Sequence, residues 1–462
     1  MAALVAGALL AGSRGAGAGE VAGRPRLLVL TDISSLTTGV REPDDGQSMV
    51  RLMLYANDLD IEGLIASSNM RHGQIVRPEL IREVVSAYAQ VQPNLLLHSD
   101  AYPEAPYLME RVKAGQPVAG PKVPIFDSIG DGKDTEASRW IISVVDKPDP
   151  RPVWIAIWGG AADLAQALWN VRHTRSAAQV EDFIARLRVH SIYDQDSTGA
   201  WIKENFPALF FITRHHGVRG MYRGGDTELV SARWVETHVR TGHGALGALD
   251  PNYDGGDIWS RTLGRVRGIK EGDTPSFLGL IPNGLNDPQQ PSWGAWGGRF
   301  EKVDGSDSRY TDARDEFPGA ATDLDPRMAA VYRWRPAFQA DFQARLDWCV
   351  QAYAQANHPP VARIRGEQER TVSPGTEVIL DAGASSVPDG DSLAYEWSFY
   401  PEPGSYSGLL DIWNSTSPVA RFIAPDVTSP QTIHIILTLR DDGQPALARY
   451  QRCVITVAPR GG

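Results

Sequence analysis

Cysteine is nearly absent: the 462 residues hold only Cys349 and Cys453. A pair this far apart excludes a disulfide framework, and with no C-x-x-C or zinc spacing it excludes a structural zinc site. Both are expected as buried free thiols. No run of about eighteen apolar residues occurs, so no membrane-crossing helix is expected. Positive charge is in deficit, with 45 Lys and Arg against 56 Asp and Glu, a net charge of -11. That sign argues against a nucleic-acid backbone or an anionic membrane as partner, and leaves room for a neutral glycan or a bound cation. A dinucleotide glycine fingerprint and a Walker loop are also missing. Ser48 is in no nucleophile-elbow pattern, and no Ser-His-Asp order is visible.

What is present is an ordinary globular composition, 42% hydrophobic and 22% charged, which rules out a disordered chain. The length suggests two or three domains, or one large and one small. Met1 to Gly12 is small and apolar, and Ala16-Gly17-Ala18 resembles a cleavage site, so residues 1–23 read as a secretory leader, which places the protein outside the cytoplasm, secreted or periplasmic.

Arg26 to Thr31 (RLLVLT) reads as a buried parallel strand, Gln47 to Ala56 as a helix and Ile61 to Ser67 as a second strand. That is a βαβ unit. Alternation continues with a helix at Pro78 to Gln90, a strand at Asn94 to His98, a helix at Glu136 to Val145, a strand at Val153 to Trp158, a helix at Ala161 to Trp169, and a strand at Arg188 to Ile192. The expected fold over residues 24–355 is α/β, a mostly parallel sheet flanked by helices, with ligands at the carboxyl ends of the strands. Residues 241–327 read as long loops over that edge, and Pro336 to Gln355 as a closing helix.

Ala356 to Pro360 reads as a linker, and beyond it the period changes. Val378 to Leu380, Tyr395 to Phe399, Val419 to Ile423, Ile433 to Leu439 and Arg452 to Val457 read as strands, so residues 356–462 are expected as an all-β sandwich. The stretch Asp381 to Tyr400 (DAGASSVPDGDSLAYEWSFY) resembles the polycystic-kidney-disease type of immunoglobulin-like domain, with Gly383 in place of that pattern's first Ser.

The first βα junction carries the chemistry. Asp32 follows a buried strand, and Asp44 and Asp45 open the next helix, whose N-terminus favours negative charge. A single Asp there caps a helix or solvates a loop. Three together repel unless a cation or protons intervene, and hard oxygens suit Ca²⁺ or Mg²⁺.

The stretch Thr31 to Asn69 (TDISSLTTGVREPDDGQSMVRLMLYANDLDIEGLIASSN) resembles the opening of the inosine-uridine-type nucleoside hydrolases, and more closely the nucleoside hydrolase-like domain of secreted proteins described as cellulose-binding, where Glu-Pro-Asp-Asp (Glu42 to Asp45) is characteristic. Unlike the enzymes, this chain inserts residues between Asp32 and Asp44. Trp158 to Ala165 resembles a later segment, in which Ala162 stands where a backbone carbonyl meets calcium. Asp194 and Asp196 match ribose-contacting positions, and Asn286-Asp287-Pro288 resembles a His-Asp-Pro segment whose Asp is a late calcium ligand. The resemblance implies Ca²⁺ held by Asp32, Asp45, Asp287 and the Ala162 carbonyl. It implies catalytic roles for Asp32, Asp44 and Asp45, with Asp32 taking a proton from water, and sugar hydroxyls held by Asp44, Asn69, Asp194 and Asp196, with Asn286 also at the substrate.

Trp293 and Trp296, in the Gly-rich stretch SWGAWGG, read as a saccharide platform or as indoles closing a loop onto the core. His215 and His216 read as structural, since neighbours on a strand face opposite ways. With the catalytic His replaced by Asn286, a carbohydrate rather than a nucleoside is the expected substrate. The expectation is therefore a secreted hydrolase of glycosidic bonds in an oligo- or polysaccharide. A non-catalytic polysaccharide-binding protein and a nucleoside N-ribohydrolase are the alternatives, and neither nucleic acid nor membrane is expected as a partner.

Overall fold

The protein is described by a computed structural model over residues 23–37, 44–68, 75–117, 122–256, 264–317 and 324–459. Residues 1–22 of the stretch read as a leader, with Glu42, Pro43 and Asn69, lie outside these. Among the described residues no helix is long and apolar enough to cross a membrane, and both cysteines are free and buried.

An eight-stranded sheet organises the larger part. Its strands are β1 (Arg26–Thr31), β2 (Asp60–Ala66), β3 (Val112–Ala114), β4 (Val153–Ile157), β5 (Leu187–Ser191), β6 (Phe210–Thr213), β9 (Phe300–Lys302) and β10 (Arg309–Asp312); β7 (Tyr253–Gly256) and β8 (Arg265–Gly268) form a separate hairpin. The spatial order is β3-β2-β1-β4-β5-β6-β10-β9. Neighbours are parallel except β9, which runs antiparallel to β10. Helices cover both faces, which is why the central strands are continuous apolar runs. Leu27 and Val29 face α1 (Asp44–Leu54) and α2 (Pro78–Leu95). Leu28 and Leu30 face the other way, onto α3 (Glu136–Val145) and α4 (Ala162–Thr174). The helices α5 (Ala177–Ala185), α6 (Ser197–Asn205) and α7 (Arg335–Asp347) complete the layers.

Several expectations are corrected. Asn94 to His98 is not a strand: α2 runs on to Leu95, and the Asn94 amide donates to the carbonyls of Trp348 (2.8 Å) and Gln351 (2.6 Å). The third strand is β3, too short to show a period. Residues 241–327 are not only loops, since they supply β7 to β10. The closing helix stops at Asp347, where the chain turns and Trp348 Nε1 donates to the Asn357 carbonyl at 2.9 Å.

Beyond it, β11 (Glu369–Val372), β16 (Ala448–Val457), β15 (Gln431–Asp441) and β13 (Leu393–Phe399) form one sheet, in that order, and β12 (Glu377–Asp381) pairs with β14 (Val419–Ile423) in another. Val378, Leu380 and Phe422 from the small sheet pack on Trp397, Ile435, Leu437 and Ile455 from the large one. This is a two-sheet sandwich. The outer face of its large sheet is sealed to the α/β part. Tyr400, Ile436, Ala448 and Tyr450 join the same buried cluster as Met49, Trp296 and Phe338. Around them Tyr400 Oη donates to Asp315 Oδ2 (2.7 Å), Arg449 Nη1 to Asp341 Oδ2 (2.7 Å), and Arg452 Nη2 to the carbonyls of Leu285 (3.1 Å) and Gly294 (3.0 Å).

One ion pair lies under the carboxyl edge of the sheet. Arg51, on α1, donates to Glu271 through Nε (2.5 Å) and Nη2 (3.0 Å), and both side chains are fully buried. The same guanidinium donates to Gln339 Oε1 at 2.7 Å and stacks 3.7 Å from the centre of the Phe342 ring, both on α7. Replacing Arg51 by Leu is expected to destabilise the protein by about 3–5 kcal/mol, because Glu271 is left as a buried, unpaired charge. Adding Glu271→Gln is expected to recover part of that loss. Urea unfolding of the single and double variants checks this, and additive losses would disprove it.

Candidate active site

Three segments meet at the carboxyl edge of the sheet. Asp32 follows β1; Asp44 and Asp45 form the first turn of α1. The third segment is the turn Lys270 to Thr274, which follows β8 and leads into a short helix, Pro275–Leu278. That turn is fixed to α1 by the Arg51–Glu271 pair and by two further contacts. Lys270 N donates to Gln47 Oε1 at 2.7 Å, and Thr274 Oγ1 lies 3.0 Å from Ser48 Oγ. The result is a cluster in which one oxygen each of Asp44, Asp45 and Asp273 lies within 4.8 Å of the others, all buried.

The electrostatics are those of crowded acids. Burial, and then the charges of Asp45, Asp44 and Asp32, hold the Asp273 carboxyl well above the usual range, with Lys270 opposing. Lys270 Nζ bonds Asp44 Oδ2 at 3.0 Å. Burial pulls the Lys270 ammonium down, but Asp44 together with Tyr222 and Tyr253 outweighs it and the amine stays charged. Asp45 accepts a short hydrogen bond from Thr31 Oγ1. Asp44 Oδ1 and Asp273 Oδ2 are buried with no hydrogen-bond partner. Orphaned carboxylate oxygens facing one another are a donor set that suits a hard cation such as Ca²⁺, so these residues fit one.

The floor of the site is set by two glycines after β4. A Cβ on Gly159 would come within 2.6 Å of the Asp32 Cβ, and one on Gly160 within 2.1 Å of Ser68 Oγ and 2.3 Å of Asp196 Oδ2. Only glycine lets the chain pass between the two carboxylates. Asp196 caps α6, accepting from Thr198 N at 2.8 Å, and burial raises its carboxyl. Next to it Asp163, fully buried on α4, accepts from Gln116 N (3.1 Å) and Thr135 Oγ1 (2.6 Å); burial outweighs those bonds and lifts it to about 7.

Above the cluster opens a cavity of about 290 Å³, with Asp44, Lys270 and Gly272 on one side and Tyr193, His215, His216 and Arg219 among the residues on the other. The expectation that both histidines lie on a strand is corrected here, and both line the cavity. They lie past the end of β6, not on a strand, and the Asp312 carboxylate holds their loop by accepting from the N–H groups of His215 (2.9 Å), His216 (3.1 Å) and Gly217 (3.0 Å). A larger cavity, about 400 Å³, lies at the opposite edge around Asp60 and Tyr102, away from the acidic cluster.

The structure thus gathers Asp32, Asp44, Asp45 and Asp196, and places Asp287, Asn286, Trp293 and Trp296 away from them. Asp287 is not in the cluster: its carboxylate accepts from Gln289 N at 2.9 Å and its charge acts on Arg452 at the sandwich seam. Asn286 staples its own loop, donating to the carbonyls of Leu278 (2.7 Å) and Ile281 (2.8 Å). Trp296 is fully buried, edge-on to Phe338 and Tyr450, and Trp293 packs edge-on against His434 of the sandwich; neither is a platform beside the cavity. Ala162 is the first residue of α4, where a helix presents N–H groups outward and turns its carbonyls inward. Asp194 is engaged by Lys203. Asn69 lies outside the described residues.

Asp273 and Lys270 are the residues the sequence reading missed. Their only local signal is Gly272-Asp273 just before a helix-starting Thr-Pro.

The fold and the cluster together are those of a nucleoside hydrolase-like α/β protein carrying a β-sandwich. Residues 26–300 match the family described as cellulose-binding Sde182, nucleoside hydrolase-like domain, and residues 377–457 match the cellulose-binding protein Sde0182, C-terminal domain. The first match spans more than half of the chain, which belongs to that family. A solved structure of a nucleoside hydrolase-related hypothetical protein from Saccharophagus degradans, described as associated with carbohydrate metabolism, is 37% identical, covers 95% of this chain and 100% of its own, and superposes with a TM-score of 0.78. The PKD domain of the KIAA 1837 protein covers 22% of this chain and 90% of its own at 18% identity, and its TM-score of 0.17 carries no argument. No curated protein matches.

The Asp163 carboxyl gives a pH signature. Held near 7 in the folded state against an ordinary value of 3.8, it keeps a proton that the unfolded chain releases. Its contribution to stability therefore falls as pH rises from about 4 to about 7, by at most about 4 kcal/mol. Wild type is expected to lose stability relative to Asp163→Asn across that window in urea unfolding. Parallel pH profiles would disprove it.

Proposed function

We propose that the α/β part hydrolyses a glycosidic bond in an oligo- or polysaccharide, and that the whole chain, exported by its leader, is retained on polysaccharide. The observation that carries this reading is the convergence of Asp44, Asp45 and Asp273, with orphaned oxygens, beneath a cavity. Glycosidic cleavage passes through an oxocarbenium-like transition state, which nearby negative charge stabilises.

In this mechanism Asp44, Asp45 and Asp273 would hold Ca²⁺. When bound, that ion lowers the pKa of a water and orients sugar hydroxyls. Asp32, packed against Gly159 at the rim of the cluster, takes the water's proton as the water oxygen bonds the anomeric carbon and the glycosidic C–O bond breaks, the departing oxygen taking its proton from solvent in the cavity. Asp196, anchored through Thr198, positions a hydroxyl. The cluster is buried, so the electrostatic terms act at low dielectric.

A second reading, non-catalytic polysaccharide binding, is favoured by Lys270. Its ammonium already neutralises Asp44 at 3.0 Å, so the cluster has an internal counter-ion.

The two readings diverge under test. Under the first, the purified chain with Ca²⁺ releases sugar from a panel of plant and algal oligosaccharides, and Asp45→Asn lowers turnover by about 100-fold or more while leaving retention on polysaccharide intact. Ca²⁺ binding followed by calorimetry is lost in Asp273→Asn and kept in Asp287→Asn. No product from any substrate, with both forms still retained, selects the second reading. Release of base from inosine or uridine would replace both.

A further inference from the structure

The small sheet of the sandwich has an outer face that breaks the usual alternation. In a half-buried antiparallel sheet the outward positions are polar. On β12 and β14 the inward residues are Val378, Leu380, Ala420 and Phe422. The outward ones include Ile379, Val419 and Ile423, which with Trp413 are between 41% and 54% exposed. Trp413 is on the same face: it bridges to Arg421 on β14 through Trp413 N to Arg421 O (2.9 Å) and Arg421 N to Trp413 O (3.1 Å). Ile379 lies opposite Arg421 on the other side, so Ile379, Arg421 and Trp413 form one row across three chain segments.

The surface is built and held. Arg421 lies 5.8 Å from the Trp413 ring centre and bonds Glu377 Oε1 at 2.9 Å. Just after Trp413 the chain turns at Asn414, which takes a left-handed φ of 58°, a conformation Asn tolerates better than most residues. The following segment is pinned to β13, where Trp397 N donates to Ser415 O (2.7 Å) and Trp397 Nε1 to Ser417 O (3.0 Å).

A flat sheet face with one indole, branched aliphatics and a fixed Arg–Glu pair is matched by one chemistry in particular. Sugar rings present apolar C–H faces that stack on an indole, and hydroxyls at their edges that bond a guanidinium and a carboxylate. The chain's net charge of -11 disfavours a polyanion. We propose that this face, centred on Trp413, is where the protein grips a neutral polysaccharide. The proposal rests on the polysaccharide-retention reading above and gives it a location, far in sequence from the Trp293–Trp296 stretch.

The test is depletion of the full-length protein from solution by microcrystalline cellulose. Wild type is expected to be retained, and Trp413→Ala to bind about tenfold more weakly, with an unchanged melting temperature because the ring is half exposed. The double variant Ile379→Ser/Ile423→Ser provides a second, independent loss. Wild type failing to bind would overturn the retention reading and this location with it. Wild type binding while both variants bind equally well would overturn the location alone. So would a dimer that Trp413→Ala splits without changing retention, because the face would then be covered by a second copy of the chain.

Discussion

Everything at the carboxyl edge of the sheet depends on one buried guanidinium. The acidic cluster is assembled from α1 and a turn more than two hundred residues away, and no strand pairing joins them. Arg51 does so, by gripping Glu271 in the turn and Gln339 on α7 at once. An ion pair so deep is costly to desolvate and seldom improves stability over an apolar substitute. Its value here is register. It sets Asp273 opposite Asp44 and Asp45, and it compensates the charge of a fourth acid, Glu271, directly beneath three others.

The site divides its counter-charges into two kinds. Glu271 is permanently matched by Arg51. Asp44 is paired with the Lys270 ammonium beside the cavity. The crowding of the acids is expressed as the raised Asp273 carboxyl and as the orphaned oxygens of Asp44 and Asp273. Such imbalance is tolerated in folded proteins chiefly where it has a use, and here it lies under a cavity rather than in the packed core.

Much of this was readable from the residues. Runs such as LLVL (Leu27 to Leu30) and VWIAI are apolar at every position because helices cover both faces of the sheet, so the strands and their parallel arrangement were legible. The Asp-Asp pair at a helix start was legible for the same local reason. What failed was whatever depended on distant partners. Asn94 to His98 reads as a strand only until its amide is seen gripping the end of α7. Asp287 carries the more familiar Asp-Pro context, yet Asp273 is the one brought to α1, by contacts that leave no trace in spacing. Trp293 and Trp296 sit in a glycine-rich, aromatic stretch, and such a stretch looks the same whether its indoles meet a sugar or a neighbouring domain. Trp413 closes the short stretch Leu409-Leu410-Asp411-Ile412-Trp413, which reads like a buried one, and its place on the outer face follows from a bridge to β14 that the sequence does not announce.

The seam between the sheet and the sandwich has a consequence for cooperativity. One continuous core runs through it: Tyr400, Ile436 and Tyr450 belong to the same buried cluster as the helices around β1. If the sandwich opened alone, Trp296 would lose one wall, and Asp341 and Asp315 would each lose a partner, Arg449 and Tyr400. Opening the sandwich alone would therefore strip packing and bonds from the α/β part as well. The two halves, so different in architecture and separately recognisable by sequence, are thus tied in stability, and loosening one weakens the other.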